Sequence, residues 1–194
     1  MVTAQEVKSL RDRTGVSMMQ CKKALEESSG DIEQAIKILQ KSGSKVADKK
    51  SGRTATEGYI GSYIHSNGKV GVLIEINCET DFVAKNEDFK ELSHDLAMHI
   101  AASDPKYVSY EQIDPEEMKK KKEELAEEVK KENKPEDIAV KIVEGKVKKY
   151  FDEVCLMTQQ YVKDPDLTVE HLIVKKIAKL GENIKISRFE RFEI

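Results

Sequence analysis

At 194 residues the chain has room for one medium domain, or for a small module joined to a larger one. Charged residues make up 36% of it but nearly cancel to a net charge of −3, which excludes the global basicity of a dedicated nucleic-acid binder. No run approaches the roughly 20 apolar residues of a membrane span, and the amino terminus has no apolar leader core. Cys21, Cys78 and Cys155 are scattered, odd in number and without a CxxC pair. That pattern fits buried thiols in a reducing cytoplasm better than a disulfide framework or a zinc site.

The first forty-odd residues are expected to form three short helices. Thr3-Ala4-Gln5-Glu6 is a capping box, and Val7 and Leu10 follow as an apolar stripe. Thr14-Gly15 breaks the helix, and Ser17-Met18-Met19-Gln20 restarts it as a second capping box. Asp31 caps a third helix with Ile32, Ala35, Ile36 and Leu39 at helical spacing, and Gly43 is expected to stop it. This defines a module over residues 1–43. Residues 44–57 lack apolar periodicity and are expected to be a flexible linker. Its Lys45, Lys49, Lys50 and Arg53 are either a solvated tether or a contact for an acidic partner.

Residues 58–194 are expected to form an α+β core domain. Tyr59, Ile60, Tyr63 and Ile64 lead to Asn67-Gly68, a two-residue hairpin signal, and then to the apolar strand 70–78. The segment Asn77-Cys78-Glu79-Thr80-Asp81-Phe82-Val83-Ala84-Lys85-Asn86 hands this strand to an amphipathic helix bearing Phe89, Leu92, Leu96, Ala97 and Ile100. An acid and a phenyl ring therefore sit side by side at a strand-to-helix junction, a place where binding residues concentrate on a rigid scaffold. From spacing alone, two uses stand open. Phe82 is a core residue and Asp81 a helix cap, or both face a partner.

Asp114-Pro115 starts a charged helix, and residues 115–151 read as a helical hairpin broken at Asn133-Lys134-Pro135. Met118, Leu125, Ala126 and Val129 make a narrow seam that Ile138, Ile142 and Val143 cover. The lysine run at 119–122 reads as a solvated face. Asp164-Pro165-Asp166 is expected to be a turn, Thr168 a cap, and Gly181 the end of a helix carrying Leu172, Ile173, Ile177 and Leu180. Ile184 and Ile186 fall out of phase with Phe189 and Phe192, so a bulge is expected between them. The architecture is then a helical module followed by an antiparallel sheet of about three strands flanked by helices.

The chain carries no GxxxxGK[ST] phosphate loop, no GxGxxG and no HExxH, and no elbow pattern supports a Ser93-based triad. His94 and His99 are five apart, off the same-face spacing of a helical metal pair. The residues point to binding rather than covalent chemistry, with no cofactor and no metal expected.

The run Thr80-Asp81-Phe82-Val83-Ala84-Lys85-Asn86 resembles the signature of the bacterial elongation factor Ts family. A second segment, residues 10–25 from Leu10-Arg11-Asp12-Arg13 through Gly15-Val16-Ser17-Met18-Met19 to Ala24-Leu25, resembles the amino-terminal motif of the same family. Gly30-Asp31, Ala35, Glu144-Gly145-Lys146, Lys148-Lys149 and the closing residues 188–193 also match family positions. The resemblance implies a guanine-nucleotide exchange factor for the GTPase elongation factor Tu, with an amino-terminal three-helix fold like a ubiquitin-associated domain. It implies that Thr80, Asp81, Phe82 and Val83 enter the GTPase and dislodge Mg²⁺, and that Arg11, Met18 and Met19 form a second contact. A single Thr-Asp-Phe-Val motif implies the short form, in which two chains pair into a complex of two factors and two GTPases. Gln159-Gln160-Tyr161-Val162 departs from the family's Gln-Pro-Phe-Val pattern. The runner-up is another binding module, an adaptor or ribosome-associated chaperone, which has no need of the acid–phenylalanine junction.

Overall fold

The computed structural model describes residues 2–131 and 135–194. Three helices open the chain: α1 (Ala4–Thr14), α2 (Met18–Glu27) and α3 (Ile32–Ser51). Thr3 caps α1 as a complete capping box, its backbone N–H donating to Glu6 Oε2 at 2.7 Å. Gly15 ends that helix in the left-handed region, φ 68°. Ser17 caps α2 by accepting from Gln20 N–H at 3.4 Å, but the Gln20 side chain accepts from the Ser17 hydroxyl at 2.7 Å rather than from its backbone. Asp31 caps α3 through Gln34 N–H at 3.0 Å. Val7, Leu10, Cys21, Ala24, Leu25, Ala35 and Leu39 make a closed core for the three helices.

The stop expected at Gly43 does not occur. The helix continues to Ser51, so residues 44–51 are helical rather than a linker. One glycine inside a helix costs only about 1 kcal/mol, which packing readily overrides. Gly43 is buried, and a Cβ there would meet Val174 and Ala178 at 3.6 Å.

Strands β1 (Glu57–Ile64) and β2 (Val70–Cys78) form the hairpin, followed by the one-turn helix α4 (Asp81–Ala84) and the long helix α5 (Glu87–Ser103). The Asn67-Gly68 signal marks the right place with a different turn. His65 N–H donates to Val70 O at 2.8 Å, so four residues make the connection, and of the signal pair only Gly68 has positive φ. Asn67 instead uses its side-chain carbonyl to accept from Lys69 N–H at 2.9 Å. On β2, Val72, Ile74, Ile76 and Cys78 are buried while Leu73 between them is exposed. The stripe Phe89, Leu92, Leu96, Ala97 and Ile100 of α5 is fully buried, as its spacing requires.

Helices α6 (Pro115–Lys130) and α7 (Glu136–Val154) form the helical hairpin, with Asp114 capping α6 and Pro115 at its first position. The break assigned to Asn133-Lys134-Pro135 falls at residues 133 and 134 outside the described residues. Two short strands follow, β3 (Gln160–Tyr161) and β4 (Asp164–Thr168), then α8 (Val169–Leu180) and β5 (Lys185–Glu193). Asp164-Pro165-Asp166 therefore lies in a strand. The chain reverses at residues 162–163, where β3 and β4 pair antiparallel, and Pro165 is tolerated in this two-stranded ribbon because both strands are edges. Gly181, φ 79°, follows α8. The main sheet is antiparallel, in the order β1-β2-β5, and the class is α+β. Along β5 the half-buried positions are Ile186, Phe189 and Arg191, so the phase does shift after Ile186; Phe192 is 60% exposed rather than on the covered face.

The chain divides into two compact units. One holds Met1–Gly61, Glu75–His94 and His171–Ser187; the other holds Ser62–Ile74, Asp95–Glu170 and Arg188–Ile194. All residues expected to bind a partner lie in the first.

Candidate functional site

β2 ends at the buried Cys78, and the chain turns at Glu79-Thr80 into α4. Thr80 is the N-cap, with extended backbone (φ −130°, ψ 156°) and a side-chain oxygen accepting from Val83 N–H at 3.5 Å. Asp81 is therefore not the cap. Its carboxylate accepts from Lys85 Nζ at 2.7 Å, and that hydrogen bond holds the acid below the usual carboxylate range and raises Lys85. Phe82 is not core either: it is 82% exposed, whereas Val83 is half-buried and Ala84 buried. A phenyl ring left this far in water is not packed as a core residue.

The turn is tied down from beneath. The Glu182 carboxylate, just past Gly181, accepts from Glu79 N–H at 3.0 Å, Thr80 N–H at 3.0 Å and the Thr80 hydroxyl at 2.6 Å. Glu79 Oε1 accepts from Asn183 N–H at 2.7 Å, and that bond, with Arg53 at 3.4 Å from Glu79 Oε2, holds the Glu79 acid low. The buried Asn183 amide donates to Arg53 O at 2.8 Å and Ser51 O at 3.4 Å, and Lys50 donates to Gly181 O. The end of α3 and the root of the Phe82 turn thus share one anchor. Burial and the nearby Glu182 charge push the Cys78 thiol up to about 11. It stays protonated at neutral pH, donating to Thr80 O at 3.2 Å, and is no nucleophile.

In the three-helix module, Met18 opens α2 at 42% exposure and Met19 follows at 85%, with Arg11 exposed on α1. Both methionines face water. No hydrogen bond or ion pair among the described residues joins Arg11, Met18 or Met19 directly to residues 80–83; the link runs through α3 and the 181–183 turn. α8 adds to it, with Lys179 2.6 Å and Lys176 3.7 Å from the Asp88 carboxylate. Among the described residues no group of three or more His, Cys, Asp or Glu side chains is arranged to hold a metal ion.

Sequence reasoning found the exposed residues and missed their supports. Glu182 is 102 residues from Thr80, and no local spacing connects them. The departing segment at 159–162 has its own account in the second unit. The Tyr161 hydroxyl, which a Phe would lack, donates to Asp95 at 2.9 Å, and Gln159 meets the buried His99 at 2.9 Å.

The family model described as elongation factor TS matches residues 3–194. The chain is 53% identical over 194 residues to "Elongation factor Ts" of Carboxydothermus hydrogenoformans, covering all of this chain and 89% of that protein. It is 54% identical over 193 residues to "Elongation factor Ts" of Acetivibrio thermocellus, covering 90% of it. The protein of that name from Moorella thermoacetica is 52% identical over 194 residues, with 96% covered.

Proposed function

The chain belongs to the elongation factor Ts family, and from that premise we propose that it is a guanine-nucleotide exchange factor for the GTPase elongation factor Tu, acting during translation elongation in the cytoplasm. A GTPase holds GDP through phosphate contacts, Mg²⁺ and base contacts that reinforce one another. Nanomolar retention corresponds to about 12 kcal/mol, so unaided release is slow. A factor accelerates release by binding a conformation in which those contacts are already broken, and by linkage bound GDP weakens the factor's own binding equally.

The observation that carries this reading is Phe82, a rigidly based aromatic ring 82% exposed at the tip of a one-turn helix. Burying such a ring in a partner is worth about 1.5–3 kcal/mol, which helps offset the displacement of a packed partner helix. In this mechanism Thr80 shapes the turn, Phe82 and Val83 enter the GTPase, Asp81 presents its charge beside them, and the displaced elements release Mg²⁺ and then GDP so that GTP rebinds. Arg11, Met18 and Met19 form a second contact, to which methionine's adaptable, polarizable side chain is suited. The chain itself makes and breaks no covalent bond and needs no cofactor.

Residues 1–43 serve as a ubiquitin-associated-like partner-binding module and 58–194 as the core, with the helical end of α3 replacing the first part of the 44–57 tether. Two copies pair into a complex of two factors and two GTPases. Support comes from the open face of the sheet in the second unit, where Ile64 is 74%, Leu73 50% and Phe192 60% exposed. The test of the exchange reading is release of a fluorescent GDP analogue from elongation factor Tu. Acceleration by this chain in catalytic amounts supports the reading, and an unchanged rate contradicts it.

A further inference from the structure

The Phe82 ring is 82% exposed, so little of it is packed against the rest of the protein, and α4 is a single turn, too short to be stable by its own hydrogen bonds. The direction of the ring is therefore set by whatever holds residues 79 and 80. Three donors there converge on one carboxylate: Glu182 accepts from both backbone N–H groups and from the Thr80 hydroxyl. Because the hydroxyl proton is committed to Glu182 at 2.6 Å, the Thr80 oxygen turns its lone pairs to Val83 N–H. Glu182 thus sets the cap as well as the backbone. Its neighbour Asn183 ties the same turn to the carbonyls of Ser51 and Arg53 at the end of α3, and its N–H holds the Glu79 side chain.

We propose that Glu182 is a positioning residue for nucleotide exchange. It presents Phe82 in one orientation, and with Asn183 it fixes that ring in a common frame with the helix leading from the three-helix module. The inference rests on the exchange-factor reading and deepens it: the two partner contacts form one preorganised surface rather than two sites on a slack tether. Glu182 is only half-buried, so its removal leaves the 79–80 N–H groups to water and the fold intact.

The test uses the full chain with elongation factor Tu carrying a fluorescent GDP analogue. Glu182→Ala lowers the maximal release rate about tenfold while the half-saturating concentration stays within about twofold. Glu182→Gln keeps the shape and one acceptor but sets an amide nitrogen against a donor, and loses about threefold. In a Phe82→Ala background, Glu182→Ala has no further effect, because it acts through the ring. Amide exchange at Thr80 rises in both Glu182 variants while that of buried α5 is unchanged. A wild-type maximal rate in either variant overturns the proposal, as does a Glu182 loss that adds in full to that of Phe82→Ala. If Glu182→Ala melts below the assay temperature, Glu182→Gln carries the same comparisons. An inactive wild-type chain contradicts the exchange reading itself, a result distinct from an active wild type with indifferent variants.

Discussion

Asp81 Oδ2 and Lys85 Nζ lie 2.7 Å apart, one helical turn from each other, with the Phe82 ring projecting from the same turn. The pair removes Asp81 from capping and leaves that task to Thr80. Both side chains are well exposed, 49% for Asp81 and 76% for Lys85, so the pair contributes little to stability. Asp81→Asn should leave the melting curve unchanged but reduce the salt dependence of association with the GTPase. The pH behaviour follows from the sign of the shift. The folded value is depressed by Lys85, so any stabilisation is present above the ordinary aspartate value of about 3.9 and is lost as pH falls through the lower folded value. Exchange rates measured from pH 5 to 8 should run parallel in wild type and Asp81→Asn; a step in the wild type alone would show that Asp81 titrates there.

Two glycines should respond oppositely to the same methyl group. At Gly43 the new Cβ meets Val174 and Ala178 at 3.6 Å, ordinary contact inside a helix. Gly43→Ala should stabilise by about 0.5–1 kcal/mol through helix propensity and unfolded-state entropy. At Gly58 the Cβ would lie 2.3 Å from the backbone oxygen of Ile76, which cannot retreat without parting β1 from β2. Gly58→Ala should cost about 1–3 kcal/mol. Chemical denaturation of the two variants checks both signs.

His99 is fully buried, accepting from Val162 N–H at Nδ1 (3.3 Å) and donating from Nε2 to Gln159 at 2.9 Å. Burial lowers its pKa, against a smaller opposing effect of Gln159. The unfolded chain then binds the extra proton first, so stability is full above about pH 6.5 and is lost as pH falls from there through the lower folded value. In thermal melts between pH 7.5 and 5, the wild type should lose more stability than His99→Gln over the same interval. Equal slopes would show that His99 is not held neutral.

Pairing through the open sheet face predicts a mass near twice 22.0 kDa by light scattering at micromolar concentration. Leu73→Glu should return the chain to monomer mass with its secondary structure intact, since Leu73 is already 50% exposed. A wild-type chain of 22.0 kDa together with a one-to-one complex would rule the pairing out.

What the sequence disclosed was local. The Thr3–Glu6 box, the Asp31 cap, Pro115 at the start of α6 and the α5 stripe each depend on residues within a turn or two, and each is found where its spacing placed it. Signals whose outcome depends on distant packing were misread. Gly43 looks like a stop until α8 lies against it, and Asp164-Pro165-Asp166 looks like a turn until β3 pairs with it. At the candidate site the spacing left open whether Phe82 was core with Asp81 as cap or whether both faced a partner; Phe82 is exposed, and the cap is Thr80, which the spacing did not offer. The Thr80 hydroxyl is held by Glu182, which lies 102 residues away along the chain, beyond the reach of any local spacing.

The claim that Phe82 is the working element of an exchange surface is tested most directly by one substitution. Release of a fluorescent GDP analogue from elongation factor Tu is followed with wild type and Phe82→Ala, alongside their melting temperatures. An exposed ring predicts release slowed at least about tenfold, about 1.4 kcal/mol in the barrier, with melting nearly unchanged. A buried Phe truncation would instead cost about 3–5 kcal/mol of stability. Near-normal exchange with a large fall in melting temperature would contradict the account.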